Sequence, residues 1–170
     1  MESNYRLIFQ MEIKNQCEFA IIAIKEIQQS LNQRNMDKFW YSVHGFLTAI
    51  GNISKLFWSS NDSEDREELR KSLNVEEFSS LFPRNFRNHF EHFDERIDSW
   101  IKNSKKHNFA DRCIMTEGGI VGLEQTDYMR IFDPQTNTIT FQGESYDLNP
   151  IIGELNELYN KVREKLQSHS

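Results

Sequence analysis

The sequence predicts a mainly α fold: an up-and-down antiparallel four-helix bundle with a short extra helix and a β-hairpin insertion before the last helix. Three observations predict it. Four segments repeat apolar residues at three- and four-residue spacing, the pattern of a helix that buries one face. The helical segments are joined by short polar connections, as in antiparallel bundles. Residues 107–147 break the pattern with glycines and β-branched runs.

The four apolar seams are each long enough for a bundle helix. They comprise Ile13, Cys17, Ala20, Ile24, Ile27 and Leu31; then Phe39, Val43, Phe46, Ile50, Ile53 and Phe57; then Phe86, Phe90, Phe93, Ile97 and Trp100; and finally Leu148, Ile152, Leu155, Tyr159, Val162 and Leu166. Asp37 is the predicted N-cap of the second helix. Pro83 falls in the first turn of the third helix, and Asn149-Pro150 opens the last.

Two further elements interrupt the bundle pattern. Residues 61–63 open a short acidic helix that runs to about Leu73. Residues 128–132 and 138–141 are β-rich runs around an Asp-Pro-Gln-Thr-Asn turn, which predicts a hairpin. The chain of 170 residues is predicted to be one domain, with residues 107–147 as loop and hairpin insertion.

Charge and cysteine content limit the classes of function that the chain can have. A net charge of −6 disfavours broad electrostatic binding of nucleic acid. Residues 84–107, however, hold six basic and four acidic residues, a local net charge of +2. No apolar run reaches the length of a membrane span and no signal peptide is apparent. The two cysteines form no CxxC motif and have no histidine partner at metal-ligand spacing. A cytoplasmic protein without a cofactor, metal or membrane contact is therefore expected.

Residues 84–92 concentrate groups that suit phosphate chemistry. The nine residues include two arginines, two asparagines and two histidines. Arginine binds phosphate through a rigid fork of donors, and histidine transfers protons near neutral pH. Two overlapping R-x4-H motifs are present, one from Arg84 to His89 and one from Arg87 to His92.

Helical geometry distinguishes these two motifs. If the third segment is one helix, Arg87 and His92 lie roughly 120° and 100° to either side of Phe93, away from the apolar seam. Asn88 lies between them, whereas His89 lies nearer the seam and is expected to be half-buried. The second motif is preferred because an aromatic residue precedes its arginine and its histidine faces outward.

An R-N-x-x-x-H motif on a late helix of a small helical bundle resembles the HEPN domain superfamily (higher eukaryotes and prokaryotes nucleotide-binding). Many members of that superfamily are metal-independent endoribonucleases in toxin–antitoxin, CRISPR and abortive-infection systems. The resemblance implies a homodimer in which the helices carrying Arg87 and His92 form one composite site. It also implies an RNA substrate and an antitoxin or other protein partner.

The resemblance further implies residue roles. Arg87 would hold the scissile phosphate, and His92 would act as general acid or base in attack by the ribose 2′-OH. Asn88 would orient the phosphate or the histidine. Arg84, His89 and Arg96 would bind substrate.

Two alternatives remain open at the level of sequence. The first is a solvated helix face, in which Arg87 and Glu91 form an ordinary i,i+4 pair. The second is a non-catalytic helical module that binds a protein or nucleotide through its hairpin, since Glu91 and Glu95 would repel a phosphate. Metal binding by His89 and His92 is disfavoured because Glu91 lies on a different helix face from His89 and no Glu-x-x-His pair occurs on two helices.

Overall fold

The fold is described from a computed structural model for residues 3–59, 64–77, 79–81, 88–89, 91–116 and 119–168. Its regular elements, in chain order, are α1 (Ser3–Asn32), α2 (Met36–Phe57), α3 (Glu64–Ser72), α4 (Phe93–Asn103), β1 (Cys113–Ile114), a 3-10 turn (Gln125–Asp127), β2 (Arg130–Asp133), β3 (Thr138–Phe141), β4 (Glu144–Asp147) and α5 (Leu148–Gln167). The chain divides into two compact units, one of residues 1–84 and 151–170 and one of residues 85–150.

The first unit is helical, and its core follows the predicted seams. All six seam residues of α2 are buried, and α1 contributes Ile13, Cys17 and Ala20. Leu155 and Val162 of α5 are also fully buried. A 3-4 spacing in a strongly apolar helix therefore located most of this core correctly.

Polar contacts fix the ends and loops of this unit. The Asn35 side chain accepts a 3.1 Å hydrogen bond from the Lys38 backbone, so Asn35 caps α2 in place of the predicted Asp37. The Glu154 carboxylate accepts hydrogen bonds from the Ser79 hydroxyl and, at 3.0 Å, from the Ser80 amide. These bonds hold the segment after α3 against α5.

The second unit contains a four-stranded mixed sheet of order β1-β2-β3-β4. β1 pairs parallel with β2, and β2, β3 and β4 follow as an antiparallel meander. The predicted hairpin is confirmed as β2 and β3, with Ile131 opposite Thr140. Gln142 and Gly143 join β3 to β4, and both have positive φ (46° and 85°), as a type I′ turn requires.

The predicted four-helix bundle is wrong. The described residues form five helices and a four-stranded mixed sheet, although the fold is mainly α. The third predicted bundle helix is the reason. Its part from Phe93 onward, α4, belongs to the unit of the sheet, and no residue of α4 is buried. Phe93 of α4 instead meets the Phe141 ring of β3 edge-on, with ring centroids 6.3 Å apart.

Among the described helices, none combines the length and the hydropathy that crossing a lipid bilayer requires.

Candidate functional site

The backbone in the region of the motif is irregular at His92. His92 has φ −108° and ψ 42°, outside the helical region, and α4 starts only at Phe93. Its N–H donates a 3.0 Å bond to the Asn88 carbonyl, and its own carbonyl accepts from the Arg96 N–H at 3.1 Å. Both bonds span four residues, as in an α-helix, so the helical bonding continues across His92 while its own dihedral angles are irregular. The angles that separated the two motifs assumed a regular helix and are only approximate there.

The predicted site residues differ in what the structure says of them. Arg84 and Arg87 lie outside the described residues. Asn88 is half-exposed, and its carbonyl is engaged by His92. His89, His92 and Arg96 are described, and they have very different surroundings.

His89 is buried, with 5% of its surface exposed, which is more than the predicted half-burial. Its ring stacks on Phe141 at 4.6 Å between centroids and 11° between planes. Its Nε2 lies 3.0 Å from a Glu144 carboxylate oxygen and 3.1 Å from the Tyr146 hydroxyl. The Tyr146 hydroxyl donates to the same Glu144 oxygen at 2.7 Å. We call His89, Phe141, Glu144 and Tyr146 the His89 cluster.

The strand geometry explains why these residues meet. Glu144 and Tyr146 are two apart on β4, so their side chains lie on the same face of the sheet. Phe141 is the register partner of Glu144 across the β3–β4 turn. One face at the end of the meander thus presents an aromatic ring, a carboxylate and a phenol to one imidazole.

The hydrogen bonds define the protonation state of His89. Because the Tyr146 hydroxyl donates its proton to Glu144, both oxygens near His89 Nε2 are available as acceptors. The hydrogen bonds are therefore best satisfied when Nε2 carries the proton. His89 Nδ1 is buried and has no hydrogen-bond partner among the described residues. A protonated ring would bury that second N–H without an acceptor. Burial accordingly lowers the pKa of His89, although the hydrogen bond and charge of Glu144 oppose the shift.

The same contacts also shift the pKa values of the Glu144 carboxyl and the Tyr146 phenol. The hydrogen bonds from Tyr146 and then His89 lower the pKa of Glu144. Burial, followed by the contact with Glu144, raises the pKa of Tyr146. At neutral pH the cluster therefore holds a neutral imidazole, a carboxylate and a neutral phenol.

Arg96 lies close enough to this cluster to affect it electrostatically. Its positive charge lowers the pKa values of His89, Glu144 and Tyr146, as a minor contribution in each case. Its backbone carbonyl accepts a 2.7 Å bond from the Gln142 side chain, which ties α4 to the β3–β4 turn. The structure thus brings together His89 and Arg96, two of the predicted substrate-binding residues.

His92 contrasts with His89. Its side chain is 54% exposed, and its Nδ1 lies 3.5 Å from a Glu95 carboxylate oxygen, beyond a good hydrogen bond. Its ring is therefore open to solvent at the start of α4. An imidazole in this position is accessible to a ligand, whereas the His89 ring is buried and hydrogen-bonded within its own chain.

A polar groove of about 460 Å³ lies farther along α4 in the same unit. It is lined by Ser99, Trp100, Asn103, Lys105, Thr126 and Gln142. Ser99 is seven residues after His92, about 10 Å along a helix axis. The groove offers one cationic, several amide or hydroxyl, and one aromatic group, which suit a polar ligand with flat rings.

Sequence reasoning missed Glu144 and Tyr146. Their i,i+2 spacing next to a turn indicates a shared strand face, but nothing in the sequence links that face to His89. The described residues include no group of three or more His, Cys, Asp or Glu side chains placed to hold a metal ion.

Comparison with known proteins gives no relative on which to base a function: no family model, no curated protein and no solved structure matches this chain.

Proposed function

We propose that the chain is a cytoplasmic, metal-independent endoribonuclease that uses the second motif, with Arg87 and His92 as its catalytic residues. The observation that supports this choice is the contrast between the two histidines. His89 is buried with Nε2 bound to Glu144, while His92 is exposed at the start of α4. A general acid or base must reach the atom it protonates or deprotonates. Only His92 meets that condition without a rearrangement.

The proposed reaction needs no metal. The ribose 2′-oxygen attacks the adjacent phosphorus as a base removes its proton, and the O5′ atom leaves with a proton from an acid. The products are a 2′,3′-cyclic phosphate and a 5′-OH. His92 supplies one of the two proton transfers, and the Arg87 guanidinium stabilises the charge on the phosphoryl oxygens.

Two copies of the motif make the site more complete. A single copy offers one imidazole, whereas the reaction uses both an acid and a base. A homodimer through the segment that carries Arg87 and His92, as in HEPN-type enzymes, would supply both. Such enzymes act in phage defence or as a toxin with an antitoxin partner, and the same setting is proposed for this chain.

The His89 cluster has a supporting role in this proposal. It anchors the residues just before His92 to β4 through bonds of 3.0 and 3.1 Å. The groove beyond His92, with Lys105 and Trp100, receives flanking nucleotides. His89 and Arg96 thus act by positioning, and the predicted direct contact of His89 with substrate is not part of the proposal.

The test is RNA cleavage in excess EDTA, with end-group analysis of the products. Arg87→Ala and His92→Ala are each expected to slow cleavage at least about 100-fold. His107→Asn is the matched control, because His107 is another exposed histidine whose φ of 52° asparagine accepts. If His92→Ala cleaves as fast as the parent, the proposed mechanism is wrong.

A non-catalytic binding module is the second candidate, and the charge around His92 favours it. Asp94 and Glu95 occupy the first turn of α4, with Glu95 3.5 Å from the ring. Carboxylates there oppose a phosphate ester. Intact RNA in EDTA, together with saturable binding of a protein or nucleotide that changes in the sheet unit disrupt, would favour this second function.

A further inference from the structure

The outer surface of α1 is apolar along a narrow line. Between residues 8 and 22 five positions are exposed: Ile8, Met11, Asn15, Phe19 and Ile22. The outward line of a solvated helix is normally polar, yet four of these five residues are large and apolar. The opposite side of the same helix is buried in the core of its unit. We call these five residues the α1 stripe.

The stripe continues onto α2 within the same unit. A groove of about 520 Å³ runs between the two helices, and its lining includes Phe19, Ile22 and Tyr41. Tyr41 is 81% exposed. The apolar surface is thus a contiguous patch with a groove beside it, and such patches mark interaction sites.

The patch supplies a large part of the apolar area that a stable interface buries. Ile8, Met11, Phe19 and Ile22 are 63, 52, 55 and 57% exposed. With Tyr41 and about 150–200 Å² for each fully exposed large side chain, the apolar area is about 500 Å². A typical stable interface buries about 800 Å² on each partner. The four apolar residues of the stripe and Tyr41 together supply more than half of that area before any polar rim is added.

The spacing of the stripe specifies its occupant. The apolar residues lie four and seven positions on either side of Asn15. In two antiparallel copies of α1 related by a twofold axis at Asn15, Met11 faces Phe19 of the other copy and Ile8 faces Ile22. An isologous interface requires this self-complementary arrangement, whereas an unrelated partner does not. We propose that the α1 stripe pairs antiparallel with the α1 stripe of a second copy of this chain.

The central asparagine and the flanking charges fit this pairing. Among the residues that the structure describes, the Asn15 amide donates a long 3.4 Å bond to Glu12 of its own chain. Two Asn15 amides can therefore bond across the axis and fix the register. Glu12 and Glu18 flank the stripe at three residues from Asn15. Glu12 accepts from Gln16 at 2.6 Å, and Glu18 accepts from Lys14 at 2.7 Å. These bonds within each chain limit repulsion between the copies.

This interface goes beyond the proposed nuclease, because α1 and the motif belong to different compact units. The first test is the mass of the assembly by light scattering. Phe19→Lys is expected to raise the dissociation constant at least about 100-fold and to halve the mass at micromolar concentration, because each dimer loses two buried rings. Val121→Lys is the control, since Val121 is 99% exposed in the other unit.

Disulfide trapping tests the direction of pairing. In a Cys113→Ser background, Asn15→Cys is expected to cross-link two copies, because residue 15 lies on the twofold axis. Gln29→Cys is not, because antiparallel pairing separates its two copies by about 42 Å along the helix. A monomeric parent, a mass that Phe19→Lys leaves unchanged, or equal cross-linking at the two positions would each overturn the proposal. RNA cleavage by the same variants tests the nuclease separately.

Discussion

Replacing His89 with leucine tests whether the His89 cluster holds the sheet unit together. The substitution fills the buried position with an apolar side chain of similar size but removes the Nε2 bond to Glu144. A hydrogen bond to a charged group contributes about 1.5–3 kcal/mol, and the lower end applies because 60% of the Glu144 side chain is exposed and rehydrates. Loss of the stacked ring pair with Phe141 costs about 0.5 kcal/mol more. The expected loss is about 2 kcal/mol.

Thermal unfolding monitored by circular dichroism measures this loss. For a chain of this size about 2 kcal/mol lowers the midpoint by about 4–8 °C. His89→Gln is the matched control, because the glutamine amide nitrogen reaches nearly the position of Nε2 and keeps a donor to Glu144. It is expected to retain more than half of the lost stability.

The pH dependence provides an independent readout. The folded pKa of His89 lies below its unfolded value of about 6.5. Between those two values the unfolded state binds more protons, so the free energy of unfolding of the parent falls as the pH falls from 7 towards 5. Glu144, whose pKa is also lowered, adds its loss at more acidic pH. His89→Leu removes the histidine contribution, so its profile between pH 7 and 5 should be flatter. A loss below 0.5 kcal/mol, or a pH profile parallel to that of the parent, would refute this account of the cluster.

Three further outcomes are expected from local structure. Asn35→Ala should destabilise the protein by about 1 kcal/mol in urea unfolding because α2 loses its N-cap, whereas Asn35→Asp keeps the acceptor and should unfold like the parent. Gly143→Val should cost about 1–3 kcal/mol, since a β-branched residue is strained at a φ of 85°, and an unchanged midpoint would contradict the assigned turn. Burial raises the pKa of the Cys17 thiol to about 12, so iodoacetamide at pH 8 should alkylate Cys17 only when the chain unfolds; rapid alkylation of the folded protein, located by peptide mass mapping, would contradict its burial.

The contrast between α2 and α4 shows how far apolar spacing predicts a fold. Both segments carry a 3-4 seam. In the 22-residue helix α2 all the seam residues are buried, together with Trp40 and Leu47. In α4 the seam residues Phe93, Ile97 and Trp100 are only half-buried. Periodicity shows that a helix has an apolar face, but it does not show whether a helix or a sheet covers that face.

The candidate site was likewise only partly predictable from the sequence. The sequence identified the two overlapping motifs and the outward position of His92. It predicted that position from a regular helix, whereas the dihedral angles at His92 are irregular although the i→i−4 hydrogen bonds continue across it. The exposure of the His92 side chain agrees with the predicted outward position. The partners of His89 were not predictable, because Glu144 and Tyr146 lie more than fifty residues away and reach it through strand pairing.

The sequence by itself determined the helical segments of the first unit, the β2–β3 hairpin and the cluster of phosphate-binding residue types, because these depend on local periodicity and residue chemistry. Tertiary structure decided that α4 groups with a four-stranded sheet, that His89 is a buried neutral ring, and that α1 presents a second apolar face to solvent. These three features depend on which surfaces meet. That choice is made by packing between distant segments, which local spacing does not encode.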